Sequence, residues 1–423
     1  MAKVLKRHWV TDAVSGLPRR DRLSCDYEAY LPDPLAGREV TLEGPVAADV
    51  SEAEAALARF DLEVGALADS EALARLLLRT ESVASSRIEG LEIGARRLLR
   101  ADAARRLGGP THDVTAAEVL GNIDAMVYAV DSVAAGGRLS VDQLLEVHRR
   151  LLRGTRLAEH GGRLREVQNW IGGSSFNPCS AEYVPPPPEA LPGLVADLCE
   201  FCNEETLPPV AQAAIAHAQF ETIHPFVDGN GRVGRALIHL VLRRRGVVTR
   251  VVPPVSLILA TWAKEYVDAL TGTRYRGPAT SRAAREGLNR WVGLFATATR
   301  RAVADARAFE ERVQLLEAVW RERLGRVRAG SAVDLLLRRL PGAPVLTVSA
   351  AAGLIGRSTQ AANEAIGRLT ATGVLTQTTV GRRNRAFEAP EVIHAFTALE
   401  RRLASATGNT RSAPPTRRVP PGR

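Results

Sequence analysis

Apolar residues recur at three- and four-residue spacing along most of this chain, which is the spacing of an amphipathic α-helix. In the segment 70–89, for example, Leu73, Leu77 and Ile88 share one face, and Gly90 is placed to end the helix. Clusters of Gly, Pro and Asn separate such segments. The pattern therefore predicts a mainly α fold. The predicted helices cover 70–89, 116–134, 140–153, 188–205, 209–223, 232–245 and 290–326.

The segment 162–188 interrupts the helical pattern. It contains Trp170 and Ile171, then Tyr183 and Val184, and it ends in four consecutive prolines. Proline cannot continue a helix and favours extended backbone geometry. We interpret this segment as a small β-hairpin flap; the alternative is a rigid spacer whose aromatic residues belong to the core.

Residues 331–400 have a different and more compact pattern. Two predicted helices are followed by a third that Ser358 caps, and two strands joined by a basic turn come last. This order of elements resembles a winged helix-turn-helix domain. The predicted helices cover 332–340 and 348–355 and begin again at 359, and the predicted strands cover 375–380 and 385–389.

Length and composition bound these interpretations. A chain of 423 residues exceeds one typical core, so two or three domains are expected. No stretch approaches the roughly 20 apolar residues that span a bilayer, and the first residues lack the apolar block of a secretory signal. We therefore expect a cytoplasmic protein with no membrane partner.

The four cysteines are too few and too scattered for a disulfide framework, so reduced thiols are expected. Cys199 and Cys202 have metal-like spacing, but zinc needs about four ligands and the sequence has no second pair. Buried helix cysteines are the favoured interpretation of these two residues.

The formal charge of +9 is unevenly distributed. Residues 401–423 hold six arginines and no acidic residue, which indicates a basic, disordered tail. Residues 331–400 hold seven basic and five acidic side chains, a difference of only +2. Arg357, Arg368, Arg382, Arg383 and Arg385 could contact DNA phosphates, but DNA binding and protein docking are about equally favoured for this region.

The segment 224–235, with the sequence HPFVDGNGRVGR, concentrates the candidate chemistry. Pro225 ends one helix, and two glycines around Asn230 allow a tight turn into the next, so that free backbone N–H groups point at one place. A helix N-terminus of this kind binds anions, and Arg232 and Arg235 lie where they can reach phosphate oxygens. Asp228 offers a hard ligand for magnesium, and His224 is the available general base.

The same segment resembles the signature of the Fic family, His-x-Phe-x-Asp/Glu-Gly-Asn-Gly-Arg-x-x-Arg, at every fixed position. The resemblance implies an all-helical Fic core and transfer of AMP from Mg-ATP (or Mn-ATP) to a Ser, Thr or Tyr hydroxyl of a protein, the chain itself included. In this family the histidine deprotonates the hydroxyl, the acidic residue holds the metal, and the remaining residues bind the triphosphate. These roles fall here on His224, on Asp228, and on Gly229, Asn230, Gly231, Arg232 and Arg235.

Two further segments extend the resemblance to roughly residues 40–400. Ser85 and Glu89 match the family's inhibitory motif, Ser/Thr-x-x-x-Glu-Gly/Asn, whose glutamate pairs with the second signature arginine, here Arg235. The flap resembles the family's hairpin over the active site, and its Tyr183 and Val184 are expected to dock the target's backbone.

Five regions are expected along the chain. They are an N-terminal helical region 1–112 with the inhibitory helix 70–90, a catalytic core 113–300, a linker helix 301–330, a winged helix 331–400 and the tail 401–423.

Two other functions remain open: a transcription regulator that binds DNA through the winged helix, and an enzyme that removes AMP. A zinc site at His217, Glu221 and His224 is disfavoured because the spacing is wrong for a zincin. The oligomeric state also stays open, with a homodimer as one option.

Overall fold

A computed structural model describes residues 1–10, 18–22, 24–65, 70–106, 113–380 and 384–403. The fold is mainly helical, as the spacing of apolar residues predicts. Within those ranges no helix is long and apolar enough to cross a membrane. The helices are α1 (Gly44–Gly65), α2 (Ser70–Ile88), α3 (Ala95–Arg106), α4 (Val114–Asp131), α5 (Val141–Leu152), α6 (Leu191–Asn203), α7 (Pro209–Ile223), α8 (Asn230–Arg244), α9 (Val255–Thr261), α10 (Ala263–Gly272), α11 (Arg282–Leu324), α12 (Ala332–Arg339), α13 (Val348–Ile355), α14 (Thr359–Ala371) and α15 (Pro390–Leu403).

The strands form two small antiparallel sheets. One is a hairpin of β1 (Lys3–Trp9) and β2 (Cys25–Leu31), in which Lys3 pairs with Leu31. The other has the order β3-β5-β4, with β3 at Val345–Leu346, β4 at Thr376–Val380 and β5 at Asn384–Glu388. The expectation of a purely helical N-terminal region misses β1 and β2, because their alternation of apolar and polar residues is irregular.

The chain divides into two compact units. The first contains residues 1–54, 128–246 and 264–297, and the second contains 55–127, 247–263 and 298–423. In the first unit, α7 and α8 pack against each other, and thirteen residues of α7 are buried. The indole Nε1 of Trp291 donates a hydrogen bond to the carbonyl of Ala214 over 2.7 Å, which joins α11 to the centre of α7.

In the second unit, α2 packs against α9 and against a 3₁₀ turn, Leu340–Gly342. A separate apolar core lies around Trp320, Leu336, Leu369 and Val392. It is enclosed by α12 to α15 and the sheet β3-β5-β4. The elements α12, α13, α14, β4 and β5 follow each other in the order expected for residues 331–400, whereas β3 and α15 were not predicted. Ser358 accepts a hydrogen bond from the Ala361 N–H as the predicted N-cap of α14. The assignment of this region as a winged helix stays a prediction. The expected basic turn of the wing, 381–383, and the expected tail beyond 403 lie outside the described residues.

One expectation about the cysteines is wrong. Cys25 on β2 and Cys179 form a disulfide, with Cα atoms 5.7 Å apart, although 154 positions separate them in sequence. No local pattern could indicate this pairing, because only the packing of β2 beside the 3₁₀ turn Pro178–Ser180 brings the two residues together. Cys199 and Cys202 are buried free thiols of α6, as expected.

Candidate active site

The segment 224–235 folds as a helix, a loop and a second helix in the first unit. α7 ends at Ile223, and His224 follows in the left-handed region with φ of 49°. His224 is the one non-glycine residue with positive φ among the described ranges. This conformation is sparsely populated for residues with a Cβ and is enriched at functional sites. It places the candidate base at the point where the chain leaves α7.

Asn230 closes the loop on itself. Its side-chain Oδ1 accepts a hydrogen bond from the Phe226 N–H, and its Nδ2 donates to the Phe226 carbonyl, both over 2.8 Å. Asn169 of the flap donates a further hydrogen bond to the same carbonyl over 3.1 Å. The amide of Asn230 therefore fixes the shape of the loop.

Gly229 precedes α8 as its N-cap, with φ of 78°. A Cβ at this position would lie 2.6 Å from the Cδ2 atom of Leu151 on α5. Glycine is therefore required both by the backbone conformation and by the close approach of α5. This tight start leaves the first N–H groups of α8 facing the loop.

His148 on α5 supports the loop from behind. The Gly162 N–H donates to its Nδ1 over 3.1 Å, so the ring proton lies on Nε2, which donates to the Asp228 carbonyl over 3.1 Å. Its ring stacks on Phe226 at 3.8 Å between centroids. Burial lowers the pKa of His148 to about 4, so the ring is neutral at pH 7.

The two signature arginines are buried, with Arg232 4% exposed and Arg235 1% exposed. Arg232 Nη2 lies 3.1 Å from Oδ2 of Asp228, whose side chain is about half exposed. The Nε and Nη1 atoms of Arg232 are buried and have no hydrogen-bond acceptor among the described residues. Buried guanidinium N–H groups need an acceptor, and an anion at the start of α8 would supply one.

Arg235 lies one turn further along α8. His217 on α7 lies close enough to be affected by its charge: burial first, and the Arg235 charge second, lower the pKa of His217 to about 3. His217 Nε2 and the Tyr266 hydroxyl are 2.8 Å apart. His217 is therefore a neutral core residue. The described ranges contain no group of three His, Cys, Asp or Glu side chains that could hold a metal ion.

Arg165 connects the flap to the loop. Its backbone N–H donates to the Pro225 carbonyl over 2.9 Å, and its Nε donates to the His224 carbonyl over 3.0 Å. Its other nitrogens donate to the Val167 carbonyl over 3.0 Å and to the Pro186 carbonyl. Burial lowers the pKa of Arg165 to about 10, which still leaves the guanidinium charged at pH 7. The Arg165 side chain thus connects both ends of the flap to the backbone of His224, the candidate base.

The flap itself pairs through a single antiparallel bridge, Ile171 with Tyr183, and has no longer strand. Tyr183 donates and accepts backbone hydrogen bonds with Ile171, and its hydroxyl donates to the Thr222 carbonyl. The Val184 carbonyl accepts from the Tyr30 N–H of β2 over 2.9 Å. The docking role of Tyr183 and Val184 stays a prediction, since these groups have partners within the chain.

The candidate inhibitory residues lie in the second unit. α2 ends at Ile88, and Gly90 has φ of 83°, as the sequence predicts. Ser85 is fully buried, and the Glu89 N–H donates to the Ser86 carbonyl over 3.1 Å. Asn122 of α4 donates to the Ser82 carbonyl and to the Ser86 hydroxyl, so polar contacts fix the last turn of α2.

The sequence interpretation missed three residues that shape this site: His148, Arg165 and Asn169. Each acts through backbone carbonyls that lie about 60 to 80 positions away, at Asp228, His224 and Phe226. A polar residue within an apolar helical face, as His148 is in α5, is the one signal that could have indicated such a role.

The fold is helical, and the site is a loop between two buried helices beside arginine N–H groups that lack an acceptor. Two segments of the chain match known family models. Residues 138–242 match the Fic/DOC family and residues 47–131 match the Fic/DOC family N-terminal region. These segments are therefore similar to a Fic/DOC domain and to the region that precedes it.

Similar proteins are named protein adenylyltransferases. The chain is 39% identical to "Protein adenylyltransferase fic-1" of Caenorhabditis elegans over 133 residues, which is 31% of this chain and 23% of that protein. It is 37% identical to "Protein adenylyltransferase Fic" of Drosophila melanogaster over 139 residues, 32% of this chain and 26% of that protein. The chain thus spans about a quarter of the length of these relatives.

A crystal structure of a Fic family protein from Desulfovibrio desulfuricans G20 is similar in fold. Its TM-score is 0.51 at 22% identity, and the match covers 85% of this chain and 98% of that chain. At this identity the similarity supports the fold alone.

Proposed function

We propose that this protein transfers AMP from ATP to a hydroxyl side chain of a protein. The observation that supports this most directly is the pair of buried, unsatisfied Arg232 nitrogens at the start of α8, a few residues from His224. The names of the relatives support the same reaction.

In the proposed reaction His224 accepts the proton of the target hydroxyl. The hydroxyl oxygen then forms a bond to the α-phosphorus, the bond from that phosphorus to the β-phosphate bridging oxygen breaks, and pyrophosphate leaves. Arg232 and the first N–H groups of α8 neutralise the charge of the phosphates. Arg165 and the clamp of Asn230 on Phe226 hold these groups in place before the substrate binds.

A magnesium ion fits this loop through Asp228. Its carboxylate is half exposed and has one oxygen beside Arg232, which leaves the other oxygen for a cation. One or two carboxylates with phosphate oxygens are the usual magnesium ligands. The ion would add positive charge at the phosphates.

The surface beside the loop suits a protein substrate. Val167 and Phe176 of the flap are 64% and 50% exposed, and Val227 of the loop is 41% exposed. Large exposed apolar side chains, such as these on the flap and the loop, are the type that protein docking surfaces use. This surface therefore favours a protein over a small-molecule acceptor, and the chain itself is one candidate substrate.

The test is His224→Ala with His160→Ala as its control, since His160 is another histidine of the same unit and its side chain is 44% exposed. Incubation with ATP labelled on its α-phosphate and with cell lysate should label proteins with wild type and the control. His224→Ala should reduce labelling by about 10²–10⁴-fold. Labelling by a folded His224→Ala protein at the wild-type rate would disprove the assignment. Loss of label from premodified protein, without any gain, would indicate AMP removal instead.

We further propose that Glu89 restrains the reaction. The support is the match of Ser85 and Glu89 to the inhibitory motif, together with the hydrogen bond from Asn122 to the Ser86 hydroxyl in the last turn of α2. Glu89→Gly should increase labelling, and Glu92→Gly, three residues further on, should leave it unchanged. An equal rate for Glu89→Gly and wild type would contradict inhibition by Glu89 and would leave the proposed role of His224 unaffected.

A further inference from the structure

The described arginines between 321 and 385, which exclude Arg382 and Arg383, fall into two groups according to their partners. The first group pairs with carboxylates: Arg321 with Asp334, Arg323 with Glu391, Arg338 with Asp334, and Arg339 with Glu71. The second group has no ion pair with a carboxylate among the described residues. It consists of Arg326, Arg328, Arg357, Arg368 and Arg385.

Hydrogen bonds connect α14 and the turn before it to the segment that follows α11. Arg368 of α14 donates to the carbonyls of Leu324 and Arg326, in the segment that follows α11. Arg357, in the turn between α13 and α14, lies 3.4 Å from the Gly330 carbonyl of the same segment. Arg326, Arg357 and Arg368 are exposed. The segment that contains Arg326 therefore lies beside α14, and none of these three guanidinium groups has a carboxylate partner among the described residues.

Arg385 extends this surface to the sheet. It donates to the Asn363 side chain of α14 over 2.8 Å. The exposed residues of α14 also include Gln360, and the helix contains one acidic residue, Glu364. We call this surface, Arg326, Arg328, Arg357, Arg368 and Arg385 with the exposed residues of α14, the α14 face.

Two exposed glycines, one in α13 and one in α14, are an independent indication of a binding surface. Gly353 of α13 and Gly367 of α14 are exposed, and a Cβ at either position would have no atom within 4 Å. A glycine inside a helix costs about 1 kcal/mol relative to alanine. Packing within the chain does not require these glycines, whereas a close approach by a bound partner would.

We propose that the α14 face binds double-stranded DNA, with α14 in the major groove. The groove is about 12 Å wide and accepts a single helix. The unpaired arginines supply phosphate contacts on both sides of α14, while Gln360 and Asn363 are side chains suited to base edges. A polyanion fits this surface better than a folded protein partner does, because five unneutralised cations require a high density of negative charge.

The probe is a pool of random-sequence 30-bp duplexes, whose binding to the full chain is measured by fluorescence anisotropy from 50 to 300 mM salt. The test variant is Arg326→Ala/Arg328→Ala/Arg357→Ala. The control is Arg59→Ala/Arg312→Ala/Arg323→Ala, which removes the same charge elsewhere. Both variants keep the arginines beyond residue 403, so any binding by those is equal in the two.

The test variant should bind on the order of 100-fold more weakly near 150 mM salt, with a log–log salt slope about 3 units shallower. The control should match wild type. An equal loss in both variants would show a non-specific charge effect and overturn the proposal. Absence of binding by wild type would overturn it in favour of protein docking. His224→Ala should bind DNA as wild type does, so the result is independent of the proposed enzymatic function.

Discussion

Arginine has opposite settings in the candidate active site and in the C-terminal region. Arg165, Arg232 and Arg235 are almost completely buried, and Arg165 has a backbone acceptor for each part of its guanidinium. Around α14 the arginines are exposed and lack carboxylate partners in the described chain. A buried guanidinium is held in one geometry and suits a single small anion, whereas exposed arginines suit an extended polyanion. The burial and partners of the arginines therefore indicate the ligand of each region more clearly than the number of charges does.

The largest difference should come from removing one arginine of each region in turn. Arg232→Ala should lower AMP transfer by about 10²–10³-fold, since it removes a preorganised donor from the site. Arg357 is exposed in the turn before α14, and Arg357→Ala should leave AMP transfer unchanged. Rates with α-labelled ATP for both purified variants check this. A similar loss in both would mean that the two regions do not differ in function.

Arg165→Lys tests whether the buried guanidinium of Arg165 acts by positioning His224. Lysine keeps the charge but cannot reach the carbonyls of His224, Val167 and Pro186 together, so a displacement of the base is expected. Displacement of about 1 Å can cost on the order of a hundredfold in rate. The effect should fall on kcat, with little change in KM for ATP. A change in KM alone would show that Arg165 binds the nucleotide directly.

Acid should weaken the site region through His148. Its pKa is about 4 in the folded protein against an ordinary 6.5, so the unfolded chain binds more protons between these values. The free energy of unfolding should therefore fall as the pH falls from 6.5 to 4, by about 3 kcal/mol for this residue. Urea unfolding of His148→Gln at several pH values should show a shallower decline. Parallel curves for the variant and wild type would contradict this role, since His217 is present in both.

The smallest effects should have opposite signs at two glycines. Gly229→Ala should destabilise the protein by about 1–3 kcal/mol, because φ is 78° and Leu151 is 2.6 Å away. Gly367→Ala should stabilise it by about 0.4–1 kcal/mol, because the helix has free space there. Thermal unfolding measures both. The same Gly367→Ala protein should bind duplex DNA more weakly, and unchanged binding would remove the glycine argument for the α14 face.

The sequence by itself determined the elements whose signals are local. The spacing of apolar residues predicts α7 at its observed bounds, Ser358 marks the start of α14, and Gly229 with Pro225 indicates the turn into α8. The segment 224–235 resembles the Fic family signature, and it lies within residues 138–242, which match the Fic/DOC family. Periodicity, caps and turn residues act within a few positions, so one stretch of sequence is enough to show them.

Only the tertiary structure decided how distant residues share a contact. It pairs Cys25 with Cys179, against the expectation of reduced thiols, and it brings His148 to Asp228 and Arg165 to His224. It also separates the arginines that pair with carboxylates from those that do not, although both look alike in sequence. Burial and partner choice depend on chain packing over long sequence separations, and no local pattern encodes them.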